Sequence, residues 1–212
     1  MATDYPEQAA ISAEYGIDIA DIDKQYIIPA ETIVKHLKAL EDFGFDKDDL
    51  IKMVIKLPAI LGFTAERTNG LLQNLIDFGF DKDDVIKMVI KMPAILSCTA
   101  ERSNSLLQNL IEFGFAKDDV IKMVVKLPSI LGYTAERTIA LLCLFEEMNF
   151  YIRENPSYLM FSPKLLRGRL IFLRSKRVTP QKKNMFLSNK QFEDMFDITR
   201  VELIELAKKH RP

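Results

Sequence analysis

Apolar residues recur along this chain at helical spacing, in blocks that are separated by short polar or proline-containing segments. In the block from residue 46 to 57, the polar run Asp-Lys-Asp-Asp precedes apolar residues that lie three and four positions apart. Such spacing places one side of a helix against a core. The apolar stripe predicted for this helix consists of Leu50, Ile51, Val54, Ile55 and Leu57.

Local signals predict where each helix begins and ends. Asp46 is a good N-cap, because its carboxylate can accept hydrogen bonds from the free N–H groups of the first turn. Pro58 ends the helix, since the residue before a proline disfavours the α conformation, and the next few residues predict a 3₁₀ turn. Thr64 then caps a second helix that stops at Gly79. The apolar side predicted for this second helix consists of Leu71, Leu72, Leu75 and Ile76.

This two-helix unit is repeated with a period of 35 residues. The sequence that starts at Asp46 returns from Asp81 and again from Ala116 with few changes. One helix pair cannot enclose its own apolar face, so successive units must stack and share a continuous core. The pattern therefore predicts an all-α fold, a right-handed α-solenoid in which each unit is a helix, a proline-containing 3₁₀ turn and a second helix.

The repeats also predict the domain organisation. An acidic N-terminal capping segment precedes the helical repeats, and a basic helical cap follows them. The predicted domains are residues 1–27 for the capping segment, 28–178 for the repeats and 179–212 for the C-terminal cap. The predicted units within the array lie near 46–80, 81–115 and 116–150, with a shortened unit at 151–178.

The net charge of −1 conceals a strong polarity along the chain. Residues 1–45 carry 9 acidic and 3 basic side chains, residues 46–150 carry 15 and 12, and residues 151–212 carry 6 and 14. No acidic residue lies between Glu154 and Glu193. A region of this kind attracts an anionic partner. The candidates for contact with phosphate in this region are Lys164, Arg167, Arg169, Arg174, Lys176, Arg177, Lys182 and Lys183.

Four of these candidates lie on one predicted helix, over residues 163–175. Lys164, Arg167 and Arg174 share an exposed stripe of that helix. We expect that reversal of Arg167, Arg169 and Arg174 to glutamate weakens nucleic-acid binding without unfolding the array. Arg169 falls inside the apolar arc, where its guanidinium must be paired or must reach a ligand. The alternative is a solvated helix face with one arginine that extends its charged end to water.

A second set of candidate cations recurs once per repeat. Arg67, Arg102 and Arg137 occupy equivalent positions, and stacking would align them into a row suited to a phosphate backbone. The alternative is that acidic neighbours neutralise such rows, because a glutamate precedes each arginine. The same two interpretations apply to two lysine rows, Lys52 with Lys87 and Lys122, and Lys56 with Lys91 and Lys126.

The sequence shows no pattern that is typical of catalysis or of metal binding. His36 and His210 are the two imidazoles, and neither lies near a nucleophile or a ligand cluster. Cys98 and Cys143 lack a C-x-x-C or Cys/His arrangement, and Cys98 is expected to be a small buried group. The Asp-rich start of each unit lacks the glycine and the final glutamate of a calcium loop. We therefore predict a protein that is not an enzyme and needs no cofactor or metal.

The sequence also indicates the compartment of the protein and whether it associates with membranes. No apolar stretch reaches membrane-spanning length, and no targeting sequence is visible at the N-terminus. Two cysteines without a pairing pattern favour a reducing, intracellular compartment. We expect a monomer that does not associate with membranes.

Several segments together indicate a family. The arrangement L-P-A-I-L-G-F-T-A-E over residues 57–66 returns with a few substitutions at 92–101 and 127–136, and F-S-P-K-L-L-R-G-R-L-I-F-L-R-S follows at 161–175. Before the second segment, Pro156 opens another Pro-x-x-Leu sequence, and residues 187–193 form a closing segment. This combination, over about residues 28–196, resembles the mitochondrial transcription termination factor (mTERF) family.

The resemblance implies a function as well as a fold. Members of that family bind double-stranded DNA or RNA in the concave groove of a half-doughnut-shaped superhelix, without a metal or nucleotide cofactor. The resulting interpretation is a non-catalytic, nucleic-acid-binding solenoid that contacts backbone phosphates of duplex DNA, or of RNA, with a role in transcription or RNA metabolism. The alternative is a scaffold for protein–protein interactions, or a bacterial effector, that uses the concave face.

Overall fold

The computed structural model describes residues 13–16, 28–150 and 155–210. Residues 1–12 and 17–27, most of the predicted capping segment, lie outside the described residues, and so do 151–154 of the predicted shortened unit. The regular elements of the described residues are all helical. The chain divides into two compact units, Met1–Leu107 and Gln108–Pro212.

In the first unit, helices alternate with 3₁₀ turns in the predicted order. The helices are α1 (Ala30–Phe43), α2 (Lys47–Lys56), α3 (Ala65–Phe78), α4 (Lys82–Lys91) and the beginning of α5 (Ala100–Glu112). The 3₁₀ turns are Pro58–Gly62, between α2 and α3, and Pro93–Ser97, between α4 and α5. This order confirms the all-α repeat fold.

The second unit continues with the same elements and then ends in shorter helices. Its helices are α6 (Lys117–Lys126), α7 (Ala135–Glu147), α8 (Pro163–Ser175), α9 (Lys182–Met185), α10 (Asn189–Phe196) and α11 (Arg200–Lys209). Its 3₁₀ turns are Pro128–Gly132, between α6 and α7, and Pro156–Met160, before α8. The last turn and α8 therefore follow the pattern of a repeat's second half.

The predicted helix ends are confirmed by their hydrogen bonds. The Asp46 carboxylate accepts from the N–H of Asp49 at 2.7 Å, and the Thr64 hydroxyl accepts from the next helix at 3.3 Å. Helix α2 ends at the residue before Pro58, which opens the 3₁₀ turn as expected. Gly79 closes α3 with a φ of 108°, in the left-handed region that glycine adopts without strain.

The core follows the predicted stripes with one correction. In α2, Leu50, Met53 and Val54 are buried, and the prediction for Ile55 is wrong, because its side chain is 75% exposed. At about 100° per residue, Ile55 lies about 140° around the helix from Leu50, outside the narrow arc that faces the core. In α3, the buried residues include Leu71, Leu72 and Leu75, as predicted.

A histidine is buried in the first unit. The Nε2 atom of His36 lies 2.8 Å from the hydroxyl oxygen of Thr68, and both residues are fully buried. The ring also contacts the ring of Phe63 edge-on, with 6.2 Å between centroids. Burial away from water lowers the pKa of His36 to about 4. One period later, the equivalent position holds Leu71, so the histidine is a feature of the first helix of the array.

The described part of the N-terminal segment packs on the start of the array. Tyr15 is buried and donates its hydroxyl to Glu41 of α1 at 3.3 Å. Lys47, at the start of α2, donates to the carbonyl oxygen of Glu14 at 3.1 Å and lies over the Tyr15 ring. Burial and the nearby carboxylates raise the pKa of Tyr15 to about 12. Residues 13–16 are thus held against α1 and α2.

Candidate nucleic-acid interface

Helix α8 carries the first group of predicted contacts. Ser162 caps its N-terminus by accepting from the N–H of Leu165, and Pro163 occupies the first helical position. Lys164 is exposed and Arg167 is half-buried. Among the described residues, neither side chain forms an ion pair with a carboxylate. Lys164 therefore faces solvent and Arg167 is partly exposed, and neither has a carboxylate partner among the described residues.

Arg174, on the same stripe of α8, is different. Its guanidinium forms an ion pair with the carboxylate of Glu147, at the end of α7. The stretch of sequence around Arg174 contains no acidic residue, but the fold brings one from a neighbouring helix. The expectation that Arg174 has no nearby acid is therefore corrected.

Arg169 is fully buried, with 0% of its surface exposed. Its Nη1 atom donates to the carbonyl oxygens of Met185 at 2.8 Å and Leu187 at 2.7 Å. Its Nη2 atom donates to the side-chain oxygen of Asn189 at 3.2 Å, and the guanidinium lies 4.5 Å from the centre of the Phe192 ring. Of the two alternatives for Arg169, pairing inside the protein is the one that the structure shows.

This burial removes Arg169 from any phosphate interface. Burial lowers the pKa of the Arg169 guanidinium to about 10, partly offset by Glu193, so the side chain remains charged at neutral pH. Reversal to glutamate would place a carboxylate against the carbonyl oxygens of Met185 and Leu187, where it has nothing to accept. The expectation that this reversal spares the fold is corrected for that reason.

A glycine that the sequence analysis did not single out allows the last helix to pack on α8. A Cβ atom placed on Gly168 would lie 2.0 Å from the carbonyl oxygen of Leu203, in α11. A side chain at this position would clash with the backbone of Leu203, so the two backbones can approach this closely only at a glycine. Gly168 and Arg169 together attach the C-terminal helices to α8. Neither role is visible in hydrophobic periodicity.

The remaining predicted cations lie around the connection between α8 and α9. Lys176 and Arg177 follow α8 and are exposed, and Arg177 adopts a φ of 57° while its N–H donates to the carbonyl oxygen of Arg174. Lys182 is half-buried and Lys183 is exposed, both in α9. The ammonium group of Lys176 lies 5.7 Å from the ring centre of Phe172, a weak contact at an exposed site.

Aromatic rings fix the position of α9. The Phe186 ring stacks on the ring of Tyr158, with 3.8 Å between centroids and 4° between planes. Phe150 and Phe161 contact the same ring at 5.8 and 5.1 Å. Such contacts add to the burial of apolar surface. They join the end of α9 to the 3₁₀ turn Pro156–Met160, a pairing that sequence spacing did not indicate.

Two arginines of the row, Arg67 and Arg137, form hydrogen bonds with the next repeat. Arg67 donates from its Nη2 atom to the carbonyl oxygen of Ser97, the last residue of the next 3₁₀ turn. Arg137 donates to the carbonyl oxygens of Met160, again the last residue of a 3₁₀ turn, and Phe161, at 3.1 and 2.9 Å. The geometry favours a structural role for these two arginines, as links between repeats.

Each of these two arginines also lies over an aromatic ring from its own repeat. The Arg67 guanidinium lies 5.7 Å from the ring centre of Phe63, and that of Arg137 lies 3.7 Å from that of Tyr133. Desolvation lowers the pKa of Arg137. The middle repeat has Cys98 at this position, and the thiol is buried as predicted. Arg102, in α5, is exposed.

The lysine rows have neighbours of their own. Lys56 donates to the carbonyl oxygen of Ile90 at 2.7 Å, near the end of α4, where helical carbonyl groups lack partners within the helix. Lys52 lies 3.3 Å from the carboxylate of Asp49. For these two lysines, the contacts agree with the interpretation in which protein groups satisfy the charge. An exposed ion pair of this kind contributes little to stability.

Two further features bear on the kind of site. Within residues 13–16, 28–150 and 155–210, no group of three His, Cys, Asp or Glu side chains could hold a metal ion. Across the same residues, no helix is long and apolar enough to cross a membrane.

The fold and its basic C-terminal region define a class of protein, an all-α repeat protein with solvent-facing cations. The sequence model of the mTERF family matches residues 16–193, which is most of the chain. The chain therefore belongs to the mTERF family, whose members are in general non-catalytic, nucleic-acid-binding repeat proteins. No curated protein matches this chain.

Proposed function

We propose that this protein binds nucleic acid without catalysis, by holding the sugar–phosphate backbone with five cations of the second unit. We refer to these as the basic surface, which consists of Lys164, Arg167, Lys176, Arg177 and Lys183. The observation that carries the proposal is that none of the five has a carboxylate partner among the described residues. Membership of the mTERF family supports the same class of ligand.

Unpaired, solvated cations are suited to phosphates for a physical reason. Each phosphate that they neutralise releases condensed counterions from the nucleic acid, which favours binding. A cation already paired with a carboxylate, such as Arg174, must first lose that partner. The basic surface therefore excludes Arg169 and Arg174, and Arg67 and Arg137 are assigned to links between repeats. The two predicted contacts outside these groups, Arg102 and Lys182, stay predictions.

The ligand that we propose is duplex DNA, with RNA as the alternative, and it is recognised mainly through its backbone. Reading different bases requires different side chains at equivalent positions, as in one-base-per-repeat RNA-binding proteins. The repeats that begin at Asp46, Asp81 and Ala116 are nearly identical, which disfavours such a code. Backbone contacts position a protein on a duplex without reading its sequence. Membership of the mTERF family supports a role in transcription or RNA metabolism.

The first test is the salt dependence of binding. Fluorescence anisotropy with a labelled random DNA duplex, the matching RNA duplex and single-stranded DNA compares the ligands directly. If five phosphates are contacted, affinity for the duplex falls roughly 500-fold between about 50 and 200 mM salt. Undetectable or salt-insensitive binding would overturn the proposal and favour the protein-binding scaffold.

A variant locates the site. The triple substitution Arg167→Gln, Arg177→Gln and Lys183→Gln should lower duplex affinity on the order of 100-fold at moderate salt and flatten the salt dependence. The matched control removes the same charge from one lysine row, with Lys52→Gln, Lys87→Gln and Lys122→Gln, and should change affinity about threefold or less, because the proposal places no phosphate contact on that row. Equal losses in both variants would move the interface to the repeats.

A further inference from the structure

Thr179 lies in the connection between α8 and α9, close in sequence to three residues of the basic surface. Its side chain is exposed, and Pro180 follows it directly. Lys176 and Arg177 precede it by three and two positions, and Lys183 follows four positions later. Any negative charge added to this hydroxyl would therefore enter the most densely basic stretch of the chain.

The Thr179 hydroxyl differs from the other serine and threonine hydroxyls of residues 155–210. Each of the others forms a hydrogen bond, in helix caps, in a turn or at a helix end, whereas the Thr179 hydroxyl has no partner among the described residues. The engaged side chains are Ser157, Ser162, Ser175, Ser188 and Thr199. Among these residues, Thr179 is thus the one whose hydroxyl can be modified without the loss of a hydrogen bond within the described residues.

The backbone around Thr179 is held by other groups. At the end of α8, the N–H of Val178 donates to the carbonyl oxygen of Leu173 at 2.8 Å. On the other side, the Asn184 side chain donates to the carbonyl oxygen of Thr179 at 3.1 Å and accepts from the N–H of Gln181 at 2.8 Å. These hydrogen bonds do not involve the Thr179 side chain, so we expect the backbone of the connection to keep its conformation when that side chain is modified.

We propose that Thr179 is a phosphorylation site that turns off nucleic-acid binding by the basic surface, an inference that rests on the proposed function. The modifying enzyme is a protein kinase that requires proline after its target residue. The Thr179 hydroxyl oxygen attacks the γ-phosphorus of ATP, a new oxygen–phosphorus bond forms, and ADP leaves. The hydroxyl proton passes to the kinase's catalytic base.

The expected effect follows from charge. A phosphothreonine carries about two negative charges at neutral pH and three strong acceptor oxygens. Beside Lys176, Arg177 and Lys183, it supplies the intramolecular counter-charge that these cations otherwise lack. It also repels the phosphates of an approaching duplex. Both effects weaken binding without any change of fold.

The test uses the full chain, phosphorylated with a proline-directed kinase and ATP and checked by mass spectrometry. Phosphorylation should lower duplex affinity about tenfold or more at moderate salt, and reduce the slope of log affinity against log salt by about 2. Thr179→Glu, with a single negative charge, should give about half that change in slope. Far-ultraviolet circular dichroism should show the same helix content in all forms.

Controls separate the possible failures. Thr179→Val keeps Ser162-Pro163, the other serine or threonine followed by proline. It should gain no phosphate at position 179, by mass spectrometry, and before kinase treatment should bind the duplex as the unmodified chain does. A peptide covering residues 172–187 verifies that the kinase accepts this sequence, and a folded chain left unmodified under those conditions would overturn the site. A modified chain that binds as tightly as before would overturn only the switch. A chain that binds no duplex before modification would overturn the proposed function and, with it, this inference.

Discussion

Several cations of the repeats and several of the C-terminal helices differ in what they contact. In the repeats, Arg67, Arg137 and Lys56 donate to backbone carbonyl groups of the following repeat. Around α8 and α9, cations such as Lys164 and Lys183 are exposed and have no carboxylate partner among the described residues. Regular spacing of positive charge is therefore a poor guide to binding in this chain. What each guanidinium or ammonium group contacts decides whether a phosphate can replace its partner.

The sharpest test of this contrast compares two arginines of one helix. Arg169→Met should lower the free energy of unfolding by about 4 kcal/mol, because it leaves the Met185 and Leu187 carbonyl oxygens without their charged donor. Arg167→Met, two residues away, should change stability by about 0.5 kcal/mol or less and weaken duplex binding instead. Urea unfolding followed by circular dichroism, together with anisotropy, measures both. A reversed pattern would exchange the roles that we assign to the two side chains.

The next largest effect distinguishes the first helix of the array from its repeats. Burial lowers the folded-state pKa of His36 to about 4 from an ordinary 6.5, so between these values the unfolded chain binds a proton that the folded chain does not. Stability should therefore fall as the pH decreases through this window, by roughly 3 kcal/mol, and the histidine contributes no further change below it.

The repeats supply a matched control for this pH dependence. His36→Leu copies the residue found one period later, at Leu71, and should remove the histidine's share of the loss while leaving that of the carboxylates. The measurement is the difference in unfolding free energy between the two proteins at pH 7.5 and pH 4. An identical decrease in both would show that His36 does not titrate in this way.

The smallest effect concerns the links between repeats. Arg137→Met should destabilise the chain by about 1 to 2 kcal/mol, because the carbonyl oxygens of Met160 and Phe161 lose their donor at a partly exposed site. Duplex binding should be nearly unchanged. A double-mutant cycle with Tyr133→Leu should give a coupling of about 0.5 to 1 kcal/mol for the stacked pair. Weakened duplex binding with unchanged stability would return Arg137 to the interface.

The repeat fold itself could be predicted closely. Asp46, Thr64 and Gly79 have the local chemistry that starts or ends a helix, and each does so in the structure. Pro58 separates two helices because its effect on the preceding residue is local too. The prediction that Ile55 faces the core is wrong, because the width of the helix face that packs against the core decides whether an apolar residue beside the stripe is buried or exposed.

The candidate site could be predicted only in part. The cations themselves are plain in the sequence, and the exposed positions of Lys164, Lys176 and Lys183 agree with their proposed use. The place of Arg169 in an apolar arc predicts that its guanidinium is either paired within the protein or in contact with a ligand, and it does not distinguish between the two. The pairing of Arg174 with Glu147 joins residues 27 positions apart, and no local pattern signals it.

By itself, the sequence determined the helices, their period and the region where positive charge accumulates, because capping, proline geometry and hydrophobic periodicity act within a few residues. Only the tertiary structure decided which cations remain available. Hydrogen bonds to carbonyl groups of another repeat, an acid on a neighbouring helix and the close approach of α11 to Gly168 all depend on distances between segments far apart in the chain. Those distances exist only once the helices have packed.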